Sequence, residues 1–241
     1  MEKQLGITWP KLSTINENYR AIIISLGGSS GSSAADKIKT FSNRFKDGTI
    51  YTVTGTGKPI TISREICRNT ARVYRKIKKV SGIERPKVIM VGKSMGGCKL
   101  YRATKELDKR DIKIDLFVGV DVSCSPHDHY FDFTDSYGRI GGLHFRKNVL
   151  KMYNFYQTKK NETQTGHPLL LFNEKKLYKD TYPFFNKKLN IDINKDKFSF
   201  ENLKRSSGGE TISTENTGHG DIDTQENLLE IIEKLVYQEL A

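Results

Sequence analysis

The sequence predicts a three-layer α/β/α domain built on a mostly parallel central sheet. Short apolar runs rich in β-branched residues, such as Ala21–Leu26 and Lys87–Val91, alternate with longer segments whose apolar residues recur at helical spacing. Strands that alternate with helices imply right-handed crossovers, which place parallel strands in one sheet and helices on both faces. With 241 residues and 36% hydrophobic content, the chain can form one sizeable core. We therefore predict a single domain over residues 1–241.

The first predicted elements alternate between strand and helix. The run Ala21–Leu26 has the continuous apolar character of a strand that is buried on both faces, and a Gly/Ser-rich loop follows it. A helix is then expected over residues 34–43 and a second strand over Thr49–Thr54. From Ile62 onwards the apolar residues are spaced as in a long helix that ends at Ser81-Gly82.

The second half of the chain continues the same alternation. The third strand, Lys87–Val91, precedes a further helix, and two more strands are expected at Ile114–Val120 and Val149–Phe155. A strongly apolar C-terminal helix follows Asp223, which stands three residues before Glu226 as in a capping box. Residues 157–207 are rich in Lys and Asn with weak periodicity, so they are predicted to be an insertion or a cover over the sheet.

Charge alone identifies no partner. The chain has 40 basic and 28 acidic residues, a net charge of +12, but the lysines are scattered from end to end. A generally solvated basic surface is therefore expected, with no specific binding to nucleic acid and at most weak binding to anionic surfaces.

Cysteine usage and the N-terminal sequence favour a cytoplasmic protein. Cys67, Cys98 and Cys124 are odd in number, widely spaced and without a C-x-x-C pair, so neither a disulfide framework nor a zinc site is indicated. Buried free thiols in a reducing compartment are expected. The first twenty residues lack the apolar region of a signal peptide, and no stretch reaches the length of a membrane span.

The sequence VIMVGKSMGGCKL, residues 88–100, places one serine at a tight turn between a strand and a helix. Gly92-Lys93-Ser94 matches the end of a Walker A motif, but that motif needs glycine at position 87, where Lys stands. The loop Gly27–Gly31 lacks the G-x-G-x-x-G spacing of a dinucleotide site. A nucleotide-binding role is therefore disfavoured.

The remaining interpretation of this turn is the nucleophile motif G-x-S-x-G. Gly92 and Gly96 would let the strand and the helix approach closely while Ser94 takes up a strained backbone conformation at the tip. The hydroxyl then lies above the carboxyl edge of the sheet, at the start of a helix whose amides can stabilise negative charge.

A serine hydroxyl needs a base to become a nucleophile. Five histidines are available: His127, His129, His144, His167 and His219. We favour His219, because it lies in a loop of small residues, Thr217–Asp221, between a possible strand at Glu210–Thr214 and the C-terminal helix.

The acid that orients this base is predicted to be Asp121. It directly follows the fourth strand, so it lies at the same sheet edge as Ser94, and the chain order Ser94, Asp121, His219 is the order expected for such folds. Glu162 and Glu174, later in the chain, are the alternatives.

The motifs IIISLGGSSG, VIMVGKSMGG, VGVDVS and TGHGDID resemble those of the α/β-hydrolase superfamily, in particular lipases and esterases, over residues 20–238. The resemblance implies a serine esterase that works through an acyl-enzyme and needs no cofactor. It also implies that the main-chain amides of Met95 and of Gly27 or Gly28 form the oxyanion hole. Lys93 stands where many lipases carry histidine, and the first strand ends in Ser25-Leu26-Gly27 instead of His-Gly.

Two alternative functions remain open at this point. His127-Asp128-His129, directly after the fourth strand, could supply ligands to a metal-dependent hydrolase. The same loop more simply shapes the substrate pocket, with Tyr130 and Phe131 as apolar wall. A hydrolase-shaped protein that binds without catalysing is the other alternative.

Overall fold

The computed structural model describes residues 2–4, 6–28, 37–57, 62–122, 147–156, 188–192 and 226–241. The described strands are β1 (Glu2–Gln4), β2 (Ile7–Trp9), β3 (Ala21–Gly27), β4 (Ile50–Thr56), β5 (Lys87–Lys93), β6 (Ile114–Val120), β7 (Val149–Tyr156) and β8 (Lys188–Asp192). The described helices are α1 (Ile62–Ser81), α2 (Ser94–Asp108) and α3 (Glu226–Leu240), with short 3-10 helices at Leu12–Thr14 and Ile38–Phe45.

The eight strands form one sheet in the order β1-β2-β4-β3-β5-β6-β7-β8. Strands β3 to β8 run parallel to one another, whereas β2 pairs antiparallel with β4 and β1 pairs antiparallel with β2. The central strands β3 and β6 are buried along their whole length, which requires cover on both faces of the sheet. The predicted α/β class with a mostly parallel sheet is confirmed.

Each face of the sheet has its own apolar core. Ile22, Ile24 and Leu26 of β3 point to the face that α1 and α2 cover. Ala21 and Ile23 point to the opposite face, which the 3-10 helix Ile38–Phe45 and α3 cover. This alternation along one strand follows from the two-residue period of β structure and produces the three predicted layers.

Helix α3 lies antiparallel to the strands that it covers. Near its C-terminal end, the main-chain oxygen of Glu239 accepts a hydrogen bond from Lys87 Nζ at 2.5 Å, and its carboxylate pairs with Lys151 Nζ at 2.6 Å. Lys87 is the first residue of β5, and Lys151 is the third residue of β7. Fifteen residues of helix span roughly 21 Å, close to the length of the strands, so α3 begins near the carboxyl edge of the sheet.

Several elements differ from the sequence prediction. The helix expected over residues 34–43 is a 3-10 helix at Ile38–Phe45, and β5 extends to Lys93. The short strands β1 and β2 were not predicted, and β8 lies within residues 157–207, the predicted insertion or cover. Most of residues 157–207 lie outside the described residues, so their role as an insertion or cover stays a prediction. The strand expected at Glu210–Thr214 and the cap at Asp223 also lie outside and stay predictions. The single-domain organisation is likewise still a prediction.

One expectation about the cysteines is wrong. Cys67 is free and buried, as expected, but Cys98 is disulfide-bonded. Cysteine spacing in a sequence does not report which side chains meet in space, which is why the bond was missed. Cys124, the third cysteine, lies outside the described residues.

None of the described helices combines sufficient length with sufficient apolar character to cross a bilayer.

Candidate active site

Ser94 lies at the junction of β5 and α2 with a backbone angle φ of +49°. A non-glycine residue rarely occupies this left-handed region, because its Cβ crowds the neighbouring carbonyl. The predicted strained turn with a serine at its tip is therefore present. Ser94 is 6% exposed, so its hydroxyl lies within the protein surface and not on an open loop.

Two glycines allow this turn to pack closely. A Cβ on Gly92 would lie 2.5 Å from the Cα of Gly97, so any side chain there would push β5 and α2 apart. A Cβ on Gly96 would collide with the main-chain oxygens of Gly27 and Leu26 at the end of β3. The glycines of the motif thus fit the serine turn against both its own helix and the neighbouring strand.

Asp121 lies beside Ser94 at the edge of the sheet. Lys93 and Val120 are paired across β5 and β6, and Ser94 and Asp121 are the residues that follow them. Adjacent strands are about 4.8 Å apart, so the two backbones are neighbours. Asp121 is fully buried, and its φ of +45° is also left-handed. Its main-chain N–H donates a hydrogen bond to the oxygen of Phe155 on β7, which fixes this residue against the next strand.

Gly28 completes a row across three strands. Leu26 of β3 pairs with Gly92 of β5, so Gly28 and Ser94 each stand two residues beyond that pair. Gly28, Ser94 and Asp121 therefore reach the carboxyl edge at the same level. The N–H of Gly57, after β4, donates to the main-chain oxygens of Gly27 at 3.0 Å and Gly28 at 3.4 Å, which anchors the end of β3.

Gly57 is a structural part of the site that the sequence prediction missed. A Cβ on Gly57 would lie 2.5 Å from the main-chain nitrogen of Gly96, so the loop after β4 also touches the serine turn. The signal was present in the sequence as a glycine directly after a strand, in Thr54–Gly57. It was not used because no pattern connects that glycine with the serine motif.

Two lysines next to the serine are buried. Lys93, which precedes Ser94, is 7% exposed, and Lys99 in the second turn of α2 is 2% exposed. Lysine is rarely buried to this degree unless its charge is paired. Met95, whose amide is one predicted oxyanion donor, is half-buried.

Glu65 is a buried carboxyl group in the first turn of α1. Among the residues that the structure describes, neither of its side-chain oxygens has a hydrogen-bond partner. Burial raises the pKa of Glu65 above its ordinary value of 4.5, and the nearby charge of Arg68 opposes this shift in part. This carboxyl group was not among the predicted site residues.

The other predicted site residues lie outside the described ranges. These are the base His219, the alternative acids Glu162 and Glu174, the possible metal ligands His127, Asp128 and His129, and the pocket residues Tyr130 and Phe131. Among the described residues, no group of three His, Cys, Asp or Glu side chains is placed to hold a metal ion. The structure thus brings together Ser94, Asp121, Gly27 and Gly28, and their catalytic roles stay predictions.

Comparisons with known proteins give matches in shape and not in sequence. No model of a protein family matches the chain, and no curated protein matches it. Among solved structures, Est1E from Butyrivibrio proteoclasticus matches with 13% identity and a TM-score of 0.48, over 97% of this chain and 93% of that one. A thioesterase of prodiginine biosynthesis from Streptomyces coelicolor, RedJ, matches with 10% identity and a TM-score of 0.45, over 90% and 85% of the two chains.

A third similar structure is YbtT, a type II thioesterase from the yersiniabactin pathway, with 12% identity, a TM-score of 0.44 and 95% coverage of both chains. The fold itself is evident from the chain's own topology. The described sheet contains six parallel strands and two antiparallel strands at one side. The serine turn connects its strand β5 to α2. The protein has the α/β-hydrolase fold.

Proposed function

We propose that the protein is a serine hydrolase that cleaves carboxylic esters. One observation carries this proposal: Ser94 occupies a left-handed turn at the carboxyl edge of the sheet, level with Asp121 and Gly28 on the adjacent strands. In open α/β sheets, ligands bind outside the carboxyl ends of the strands. A strained serine at that edge is suited to attack a bound carbonyl group.

His219 is the proposed base. The geometry of α3 supports this assignment, because that helix begins near the carboxyl edge and His219 precedes its first residue, Glu226, by seven positions. Seven extended residues span up to roughly 24 Å, so the histidine's segment is long enough to reach Ser94. In the proposed mechanism His219 takes the hydroxyl proton, and Asp121 holds the imidazole in the useful tautomer and stabilises its charged form.

The reaction would proceed in two acyl-transfer steps. Ser94 Oγ attacks the ester carbonyl, and the carbonyl oxygen becomes an oxyanion that the amides of Met95 and of Gly27 or Gly28 stabilise. Collapse of this intermediate breaks the ester C–O bond, and the alcohol leaves with the proton from His219. Water then attacks the acyl-enzyme with His219 again as base, releasing the carboxylic acid and regenerating Ser94.

The proposal extends to the class of substrate and to the location of the protein in the cell. Carboxylic esters are favoured, while thioesters and lipid esters use the same chemistry and would need the same residues. A cytoplasmic location stays a prediction, and the disulfide at Cys98 makes it worth testing, because such bonds are uncommon in reducing compartments.

Labelling with a fluorophosphonate probe tests the proposal directly. We expect covalent modification of Ser94, identified by peptide mass mapping, and hydrolysis of short p-nitrophenyl esters. Ser94→Ala and His219→Ala should each abolish labelling, and Ser94→Ala should lower kcat by about 10⁶-fold, as the loss of a triad serine does elsewhere.

The same experiment separates the alternatives. Ester hydrolysis that a chelator stops and that survives Ser94→Ala would favour a metal-dependent enzyme and contradict the proposal. A wild-type protein that is folded but neither labelled nor active on any ester tested would favour a binding protein instead.

A further inference from the structure

Helix α1 presents a row of cations to solvent. Arg64, Arg68, Arg72, Arg75 and Lys79 are all exposed. At 100° per residue, these five positions fall within an arc of about 80° on the helix, and they span about 22 Å along its axis. We call these five residues the α1 cationic face.

Only one acidic side chain on the helix itself acts on this row. It is Glu65, the only acidic residue of α1, which is buried and close enough to Arg68 for their charges to interact. The other four cations have no acidic neighbour on α1. Within the described parts of the chain, the ion pairs involve other residues, and none joins a member of the α1 cationic face. Like charges one turn apart repel each other, so an anionic partner would relieve this repulsion.

Cations also flank the row on both sides. Lys11, on the connection between β2 and β3, lines one pocket together with Arg72. On the other side, Arg110, in the turn after α2, lies close enough to the Cys67 thiol of α1 to oppose the rise in its pKa that burial causes. The neighbouring Lys109 is paired with Glu106 at 2.7 Å. Lys11 and Arg110 therefore widen the positive area beyond a single line.

We propose that the α1 cationic face docks on an anionic lipid membrane. A broad positive surface fits the plane of phospholipid headgroups, and clusters of about four to eight Lys or Arg residues on an amphipathic helix are typical of binding to anionic lipids. The described residues show no aromatic side chain on this face for stacking with nucleotide bases, which argues against single-stranded nucleic acid. Docking is independent of the proposed catalysis and can fail or succeed separately.

Vesicle sedimentation tests the proposal. The wild-type protein should sediment with phosphatidylcholine vesicles that contain one third phosphatidylserine, and not with pure phosphatidylcholine. Raising the salt from about 0.05 M to about 0.5 M should release the protein. At the higher concentration, the screening length is shorter than the distance between the cations of the protein and the lipid headgroups. Each cation near an anionic surface contributes roughly a fivefold factor at low salt, so R64Q/R68Q/R72Q/R75Q should weaken partitioning at least tenfold.

A matched variant controls for overall charge. Lys46, Lys113, Lys147 and Lys234 are exposed and lie outside α1, and replacing all four by Gln changes the net charge by the same four units, from +12. This control variant should keep its binding to the anionic vesicles. Circular dichroism and thermal unfolding of both variants check that each is folded.

Three results would overturn the proposal. The first is equal loss of binding in both variants, which would indicate overall charge and not a face. The second is failure of the folded wild type to bind anionic vesicles at low salt. The third is binding to random-sequence duplex DNA, lost in the α1 variant, by a protein that ignores the vesicles.

Discussion

Two buried aspartates mark the two ends of strand β6, and they differ in almost every other respect. Asp115, near the beginning of β6, is 2% exposed, and both of its carboxylate oxygens have partners. One carboxylate oxygen pairs with Arg85 Nη2 at 2.6 Å, and the other accepts a hydrogen bond from the N–H of Val88 at 2.8 Å. Asp115 thus ties β6 to the segment that enters β5, at the edge away from the serine.

Asp121, directly after β6, lies in a left-handed backbone conformation at the opposite edge, next to Ser94. A strained non-glycine residue costs stability and persists only where the surrounding structure holds it. Burial of a carboxylate therefore does not by itself identify its role. Asp115 has the relaxed, locally satisfied geometry of a structural residue, whereas the strain at Asp121 is typical of a functional position.

Replacement of Asp121 by Asn should separate activity from stability most clearly. We expect Asp121→Asn to lower kcat by about 10⁴-fold, as the loss of the charged triad acid does in serine proteases. Thermal unfolding should be nearly unchanged, because Asn adopts left-handed conformations more readily than most residues. Ester hydrolysis and melting curves of the purified variant measure both effects.

Retention of activity in Asp121→Asn would assign the acid elsewhere. Glu162→Gln and Glu174→Gln then become the informative variants, since these two residues are the remaining candidates. Ser94→Ala in the same assays gives the background rate against which all three are judged.

Replacement of Asp115 by Asn should have the reverse effect. The variant loses the ion pair with Arg85 and weakens the charge-assisted bond from Val88, so we expect unfolding to become easier by about 1–3 kcal/mol. Values of kcat in the folded protein should stay near those of the wild type. Urea unfolding followed by circular dichroism gives the stability, and an activity loss much larger than twofold would contradict a purely structural role.

Replacement of Glu65 should have the smallest effect on stability, and the size of that effect depends on pH. Burial raises the pKa of this carboxyl group in the folded protein above 4.5, so the folded state binds the extra proton more tightly than the unfolded state. Stability should therefore fall as the pH rises from 4.5 through the raised value. Glu65→Gln cannot ionise and should be the more stable protein at neutral pH.

The melting temperatures of wild type and Glu65→Gln, measured across this pH range, check the prediction. The difference between them should shrink towards zero in acid, below the ordinary pKa of glutamate. A constant difference at every pH would mean that the substitution acts through packing and not through the charge.

The central sheet could be predicted from the sequence because its strands are continuous apolar runs. Ile114–Val120 was predicted with its observed bounds, and α1 was predicted from Ile62 to Ser81. The three-residue strands β1 and β2 are too short to show a period, and their pairing depends on β4 across the sheet. β8 lies in a Lys- and Asn-rich region, where composition gives no strand signal.

The site was predictable to the extent that it depends on local pattern. The G-x-S-x-G turn and the aspartate after β6 are visible in the sequence, and the left-handed φ at Ser94 agrees with the strain expected there. The contact of Gly57 with Gly96 could not be predicted, because it joins residues that are distant in the chain. The disulfide at Cys98 could not be predicted either, because the spacing of the cysteines carries no signal for it. The burial of Lys99 likewise depends on packing that no short motif encodes.

The paired strain at Ser94 and Asp121 also has a consequence for the order of unfolding. Each left-handed residue costs roughly 1–3 kcal/mol and depends on its neighbours to hold it. Here those neighbours are the last pairs of β5 and β6 and the glycine contacts of the turn. Loosening of this edge relaxes both residues at once, while the cores on the two faces stay intact. Mild denaturant should therefore inactivate the protein before it unfolds, so that activity is the more sensitive measure of its condition in storage.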